Sequence, residues 1–571
     1  MRKLSLCGFA AVVFAVAGVF WVGAAGVAGR VYAKEGQKAA GPAAGLRFEV
    51  SFPAAVHAGP ITGRVFVMVS RDISRCGAGP AASGPCEPRL QVSRTGVPFW
   101  GRDVEGLKPG GVAVGGIAVI DGTDLGSPLE HLSDLPAGDY YVQAMLNVYS
   151  EFKRADGHTV WMHDDQWEGQ HWQRGPGNLY STVQKMHVDP ASGVIKLVTD
   201  QVVPPVVVPA DTKYVKHIKF QSALLTKFWG RPIYLGAVVL LPRDYDKETI
   251  KYPVDYIQGH FSLAAPYGFD EKNEFSQAWL SDKFPRMIAV TLQHPNPYYD
   301  DSYLVNSPNL GPYDDALMQE LIPAIEKKFR IIQEPYARVL SGGSTGGWIS
   351  AALQIYHPDF FGGAWCSCPD SVTFSDVEGV NFYKDENAFY KMYDWRPVPT
   401  INSRFTNGQA VQTSEQRNRY ELVMGTKGRS GEQIDIWSAA WGPVGEDGYF
   451  KPAFDKKTGK IDPTVVAWWK EHSDLMYYLQ KNWATAGPKL NDKLFFFVGD
   501  ADTYFLNNAT MELQAFLKTT TNPNYPAFFM YGNNKPHCWQ GPVTPAQRVV
   551  EIAQHIQRHK LEGADTGWWE Y

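Results

Sequence analysis

Apolar residues change their spacing three times along this chain. From Leu4 to Ala28 they form one extended apolar stretch behind Arg2 and Lys3. Over 46–203 they fall into short β-prone runs, at 47–52, 64–71, 112–120, 140–149, 180–188 and 194–203, separated by Gly, Pro and Asp turns with no long helix between them. That spacing predicts an all-β sandwich domain. The proline-rich stretch that opens 204–213 predicts an extended linker. From residue 214 to the end, compact apolar runs at 337–340, 493–498 and 526–531 read as strands. They alternate with helical spacing at 348–356 and with an amphipathic helix near the C-terminus, so the expected class here is α/β.

The turn after 337–340 carries the most specific chemistry. Gly342, Gly343, Ser344, Thr345 and Gly346 lie between a strand and a helix. A serine on so sharp a turn is forced into a strained backbone conformation, and glycines two residues either side remove side chains that would collide. Ser344 is therefore the candidate nucleophile. A hydroxyl is a weak nucleophile at neutral pH and needs a base with an orienting acid, expected later in the order acid, histidine. The strand at 493–498 ends in Gly499, Asp500, Ala501 and Asp502, so both carboxylates qualify. After the run 526–531, the turn Gly532 to Pro536 delivers His537 ahead of the last helix, the position a general base requires.

The chain from about residue 214 onward resembles the putative-esterase (esterase D-like) family of α/β-hydrolases, related to feruloyl and enterochelin esterases. The resemblance rests on Leu241-Pro242-Arg243-Asp244-Tyr245, on Tyr252-Pro253-Val254 with Gly259, and on Glu320 to Glu326. It rests further on Gly343-Ser344-Thr345-Gly346-Gly347 and on His357-Pro358-Asp359-Phe360-Phe361-Gly362-Gly363. It implies a mostly parallel sheet flanked by helices, and it favours Asp502 over Asp500, because the family's acid lies three residues after a strand-ending glycine. One departure stands out: relatives read His-Gly after the strand that supplies half the oxyanion hole, whereas this chain reads Gln258-Gly259-His260-Phe261. The backbone N–H groups of Thr345 and of His260, with Phe261 the alternative to His260, are the expected oxyanion donors. On this fold, residues 371–489 exceed what the elbow-to-acid connection needs. Their helical and aromatic pieces, 433–441 and 463–483 with Val465, Trp468, Trp469, His472, Leu475 and Leu479 on one face, predict a lid.

With 571 residues, 44% hydrophobic and 20% charged, the chain is ordinary globular material with room for several domains. A net charge of −5 and the lack of a basic stripe argue against nucleic acid as a partner. The 18 tryptophans and 28 tyrosines suit a cleft for sugar rings or aryl groups, which adds carbohydrate-linked or aryl esters to the expected substrates. Residues 1–33 read as a signal peptide, with a membrane anchor as the alternative if cleavage fails; Cys7 lies too early for a lipoprotein site. Export to a periplasmic or extracellular space favours disulfides. Cys76 and Cys86 bracket a Gly, Ala and Pro loop that a bridge would fasten. Strand ends converge on the active site of this fold, so a bond from Cys366 or Cys368 to Cys538 is a further expectation, with free thiols the alternative. His158, His163, Asp164, Asp165, Glu168 and His171 cluster among tryptophans, but no spacing matches a metal-ligand pattern. That region reads better as a lip beside the active site, and neither metal nor cofactor is expected.

These observations converge on an exported serine hydrolase that cleaves carboxylic esters through an acyl-enzyme intermediate. A serine peptidase or acyltransferase on the same fold, or a non-catalytic glycan-binding protein, are the alternatives. Oligomeric state is not readable from the chain.

Overall fold

A computed structural model describes residues 45–74, 76, 86–111, 115–164, 167–169, 171–191 and 193–569. The expected signal peptide, Asp165 and the first three residues of the run 112–120 lie outside the described residues.

Eight strands build the sheet that carries the candidate site: β1 (Val215–Ser222), β2 (Ile233–Leu240), β3 (Val254–Gln258), β4 (Ile288–Gln293), β5 (Arg338–Gly343), β6 (Gly363–Ser367), β7 (Leu494–Gly499) and β8 (Ala527–Gly532). Their order is β1-β2-β4-β3-β5-β6-β7-β8; β2 is antiparallel to both its neighbours, and every pair from β4 onward is parallel. Parallel strands covered on both faces must be apolar throughout. Val339, Leu340, Ala364, Phe496 and Val498 are accordingly buried. Parallel pairing aligns Gln258 with Gly342, Gly343 with Ser367 and Gly499 with Gly532, which brings five carboxyl ends to one edge. Helix α1 (Thr345–Tyr356) leaves the sheet at β5 and is buried almost all round.

N-terminal to this sheet, a second eight-stranded sheet centres on Gly138–Lys153 and Ile61–Ser70, and a three-stranded sheet is formed by Val194–Val198, Arg47–Ser51 and Ala118–Ile120. The strand Ile61–Ser70 is buried on both faces. Val65, Val67 and Val69 share a core with Phe48, Val50, Ile120 and Leu197 of the small sheet. Phe66 and Met68 turn the other way, onto Trp172 and onto Tyr420, Val423 and Met424 of helix α2 (Ser414–Met424).

Two strands here escape the periodicity. Phe99–Leu107 is broken up by Gly101, Gly106 and charged residues, yet it pairs along Ile61–Ser70. A side chain at Gly101 would occupy the space of the Arg64 guanidinium, which donates to the Gly101 carbonyl (2.9 Å). Thr159–His163 pairs with Gly138–Lys153 as a hairpin. The stretch 203–212 carries neither helix nor strand.

Residues 371–489 contain two hairpins, α2, α3 (Gln433–Trp441), α4 (Pro463–Ser473) and α5 (Leu475–Ala486). The single helix expected over 463–483 is two. Asp474 interrupts it and caps α5, its carboxylate accepting from Tyr477 N (2.6 Å). The expected apolar face is corrected as well: Val465, Trp469, Leu475 and Leu479 are buried, whereas Trp468 stacks on an exposed His472. Among the described residues no helix is long and apolar enough to cross a membrane.

Candidate active site

Chain geometry explains the elbow. Ser344 has φ 57° and ψ −123°, a conformation that L-residues avoid, and it stands directly between the end of β5 and the first turn of α1. A Cβ on Gly346 would overlap the carbonyl oxygen of Gln258 in β3, and one on Gly342 would press on the Gly346 carbonyl. Only glycine lets α1 begin this close to the neighbouring strand. Hydrogen bonds fix the turn, from Ser344 N to Ser367 O (3.0 Å) and from Trp348 N to Ser344 O (3.1 Å).

Three groups distant in sequence meet at this edge. His537 Nε2 lies 2.9 Å from Ser344 Oγ, and His537 Nδ1 lies 2.8 Å from Asp502 Oδ2. Asp502 is fully buried; its other oxygen accepts from Tyr504 N (2.8 Å) and Leu506 N (3.3 Å), so its orientation is fixed from two sides. Asp500 faces the other loop and accepts from Asn534 N (2.6 Å), which shapes the turn leading to His537. The ring of Tyr504 stands edge-on to His537 at 4.9 Å. Burial disfavours a charged imidazole, but the hydrogen bond to Asp502 and the adjacent Cys538 sulfur override it and push the His537 pKa up to about 11.

Thr345 opens α1, where a backbone N–H has no acceptor within the helix. His260 follows β3 by two residues. Its Nδ1 lies 3.0 Å from Asp300 Oδ1 and 2.9 Å from Asp301 Oδ2, and against partial desolvation these two buried carboxylates hold the imidazole well above its ordinary pKa. His171, from the expected lip, reaches the other Asp300 oxygen at 2.7 Å. The rest of that N-terminal cluster disperses: His163 pairs with Glu168 (2.8 Å), Asp164 with Arg231 (2.7 Å) and His158 with Asp156 (3.1 Å).

Asp370 was not singled out by sequence reasoning. It lies just past β6, is buried, and places Oδ1 3.3 Å from Ser344 Oγ. Its Oδ2 accepts from the Tyr303 hydroxyl, from Gln433 Nε2 (3.1 Å) and from Trp437 Nε1 (3.3 Å). Gln433 and Trp437 belong to α3, so the insertion reaches Ser344 through this carboxylate. No spacing rule marks such a residue; the one hint was its place just beyond a strand that ends at the site edge.

Among the described residues, three groups gather metal-type donor atoms within 4.8 Å of one another: Cys368, His537 and Cys538; Asp492, His555 and His559; and His260, Asp300 and Asp301. Hydrogen bonds already engage the imidazoles of His537, His559 and His260 in these groups. Cys76 and Cys86 lie with their sulfurs within bonding distance and their Cα atoms 4.9 Å apart. Cys366 is buried without a sulfur partner, whereas Cys368 and Cys538 face each other as thiols with sulfurs 2.9 Å apart.

A sequence model of the family described as "Putative esterase" matches residues 234–527, just over half of the chain. The chain belongs to the putative esterase family. The matched region spans β2 to the start of β8, including Ser344 and Asp502, and His537 falls just beyond its end. Solved structures similar to this family member include a ferulic acid esterase, 16% identical over 60% of this chain and 99% of that one, with a TM-score of 0.35. An S-formylglutathione hydrolase from Agrobacterium tumefaciens is 12% identical over 61% and 98%, TM-score 0.33. A fluorophosphonate-binding serine hydrolase of Staphylococcus aureus is 13% identical over 60% and 98%, TM-score 0.32. No curated protein matched the chain.

Proposed function

We propose that this esterase-family protein hydrolyses carboxylic esters through an acyl-enzyme, with Ser344 as nucleophile, His537 as general base and Asp502 as the orienting acid. The observation that carries the reading is the continuous relay from Ser344 Oγ through the His537 ring to the buried Asp502, at 2.9 and 2.8 Å. Neutral His537 accepts the Ser344 proton through Nε2 as Oγ attacks the ester carbonyl. Asp502 keeps the remaining proton on Nδ1 and stabilises the imidazolium that forms. The tetrahedral oxyanion is bound by the N–H groups of Thr345 and His260, and collapse expels the alcohol with a proton returned from His537. Water, or a second alcohol in the transferase variant of the reading, then releases the acyl group by the same steps in reverse.

Around Ser344 the groups are polar and aromatic, Asp370 in contact with Gln433 and Tyr303 behind it, and Tyr504 against His537, which fits esters of hydroxyl-rich or aryl alcohols. The insertion 371–489 acts in this reading as the lid that sets substrate choice, and the N-terminal all-β domain, packed against it, as the lip. The protein works after export, its leader removed and the Cys76–Cys86 bond formed.

The test is a panel of acetyl, aryl and feruloyl esters assayed with wild type and Ser344→Ala. Loss of roughly 10⁶-fold in kcat is expected for the variant. Ester hydrolysis that survives Ser344→Ala would contradict the assignment.

A further inference from the structure

We infer that Cys368 and Cys538 are joined by a disulfide in the exported protein, and that this bond frees His537 to act as base. The inference rests on the proposed role of His537 for its functional half, while the bond itself stands on geometry alone.

Four observations carry it. The sulfurs, 170 residues apart in sequence, lie 2.9 Å from each other, so an approach of roughly 0.9 Å completes a bond of ordinary length. Both cysteines sit at positive φ, 37° for Cys368 and 60° for Cys538, where a residue with a Cβ is strained and glycine would be expected. Both sulfurs pack against the elbow, 3.6 and 3.8 Å from where a Cβ on Gly343 would stand. Cys538 is exposed, so an oxidant can reach it, while Cys368 is buried behind it and held by a hydrogen bond from its N–H to Phe497 O (2.8 Å). Cys366 offers a contrast: it is buried with no sulfur nearby, and burial pushes its thiol pKa far up.

The chemistry divides between the two thiols. The contact with Cys368, followed by the neighbouring His537 against the opposing effect of burial, draws the Cys538 thiol down to about 6, whereas burial pushes Cys368 well up. Cys538 is therefore the attacking thiolate. It displaces one sulfur of a small disulfide such as oxidised glutathione, forming a mixed disulfide; Cys368, losing its proton, then displaces the second sulfur. Counted from the dithiol, with the Cys538 proton lost before attack, two protons and two electrons pass from the protein, one S–S bond forms, and the oxidant is reduced to two thiols.

The groups facing His537 from the elements around it are Asp502, Cys538, Cys368, Ser344 with Asp370 behind it, and the ring of Tyr504. Arg404 donates to the Asp502 carbonyl (3.0 Å), and Arg94 lies 5.2 Å over the Tyr504 ring. Of these groups only Cys538 changes charge with redox state near neutral pH. Its sulfur lies within 4.8 Å of a His537 ring nitrogen, so as a thiolate it pairs with the imidazolium and withholds the base; as half of a disulfide it carries no charge, and that pairing is lost.

The experiment begins with full-length protein exported without reductant, blocked with iodoacetamide and digested unreduced. A cross-linked peptide pair containing Cys368 and Cys538 is expected, and full alkylation of both would overturn the inference. The pH–rate profile is then compared with and without dithiothreitol, in wild type and in a Cys76→Ser/Cys86→Ser variant that removes the other bond. Reduction is expected to move the acidic limb up by about one pH unit in both, a roughly tenfold loss below the limb. In Cys368→Ser/Cys538→Ser, dithiothreitol should not move it. Superimposed limbs in cross-linked and reduced wild type would overturn the functional half. Ester hydrolysis that survives Ser344→Ala would instead sink the triad reading while leaving the cross-link result standing.

Discussion

At the scale of single residues, Ser344 holds a backbone conformation that costs on the order of 1–3 kcal/mol, and the turn keeps it there through Ser367 and Trp348. That strain was legible in the sequence, because only the glycines at 342 and 346 make it sterically open. Asp502 was less legible, since Asp500 stands equally close to a strand end and only the loop's path decides which carboxylate meets the imidazole. The structure turns Asp502 inward, where it accepts two backbone N–H groups as well as the ring. Asp502→Asn preserves that shape but presents a donor to Nδ1–H and selects the wrong tautomer. A fall of about 10⁴-fold in kcat is expected, with KM little changed. A loss under tenfold, measured by steady-state kinetics near neutral pH, would point to another acid. Asp370 was illegible for a different reason. Its donors come from residues 303, 433 and 437, and no local pattern connects them.

Elements position these residues through close backbone crossings. α1 begins against β3 at Gly346, where a side chain would meet the Gln258 carbonyl rather than a yielding neighbour. Gly346→Ala should therefore destabilise the protein by about 1–3 kcal/mol or more through overpacking. It should also shift the elbow enough to reduce activity well beyond the change in folded fraction. Urea unfolding together with kcat on the folded protein checks this, and wild-type values for both would contradict the crossing as described. The strands β5, β7 and β8 and the last helix were readable because apolar runs of strand length are bounded by Gly and Pro signals. The break between α4 and α5 was not. The apolar spacing continues across Asp474, and that residue caps because its carboxylate also collects Thr373 Oγ1 and Phe374 N, both about a hundred residues earlier. Tertiary partners thus ended a helix that local periodicity would have prolonged.

Across the whole molecule, the N-terminal sheet and the insertion share an apolar contact around Phe66 and Tyr420, and a buried guanidinium braces it. Arg64 donates to Val423 O (2.9 Å) at the end of α2, to Gly101 O (2.9 Å) and to Asp103 Oδ1 (2.6 Å). Replacing it with Met leaves the carbonyls unpaired and Asp103 with fewer cations, so Arg64→Met should cost about 1.5–3 kcal/mol. Faster amide exchange concentrated in α2 is expected, and exchange unchanged there would contradict that attachment. This coupling gives the insertion a fixed platform from which Gln433 and Trp437 reach Asp370 beside Ser344. Sequence periodicity separated the β-rich from the α/β region but was blind to the Arg64–Val423 contact, because it joins segments more than three hundred residues apart. The account as a whole depends on Ser344 being made reactive by the His537–Asp502 pair. The most direct test treats native protein with a fluorophosphonate and locates the adduct by peptide mass spectrometry. The account predicts stoichiometric modification of Ser344 alone, lost on heat denaturation and slowed at least a hundredfold in His537→Ala; an unmodified Ser344, or equal labelling of that variant, would contradict it.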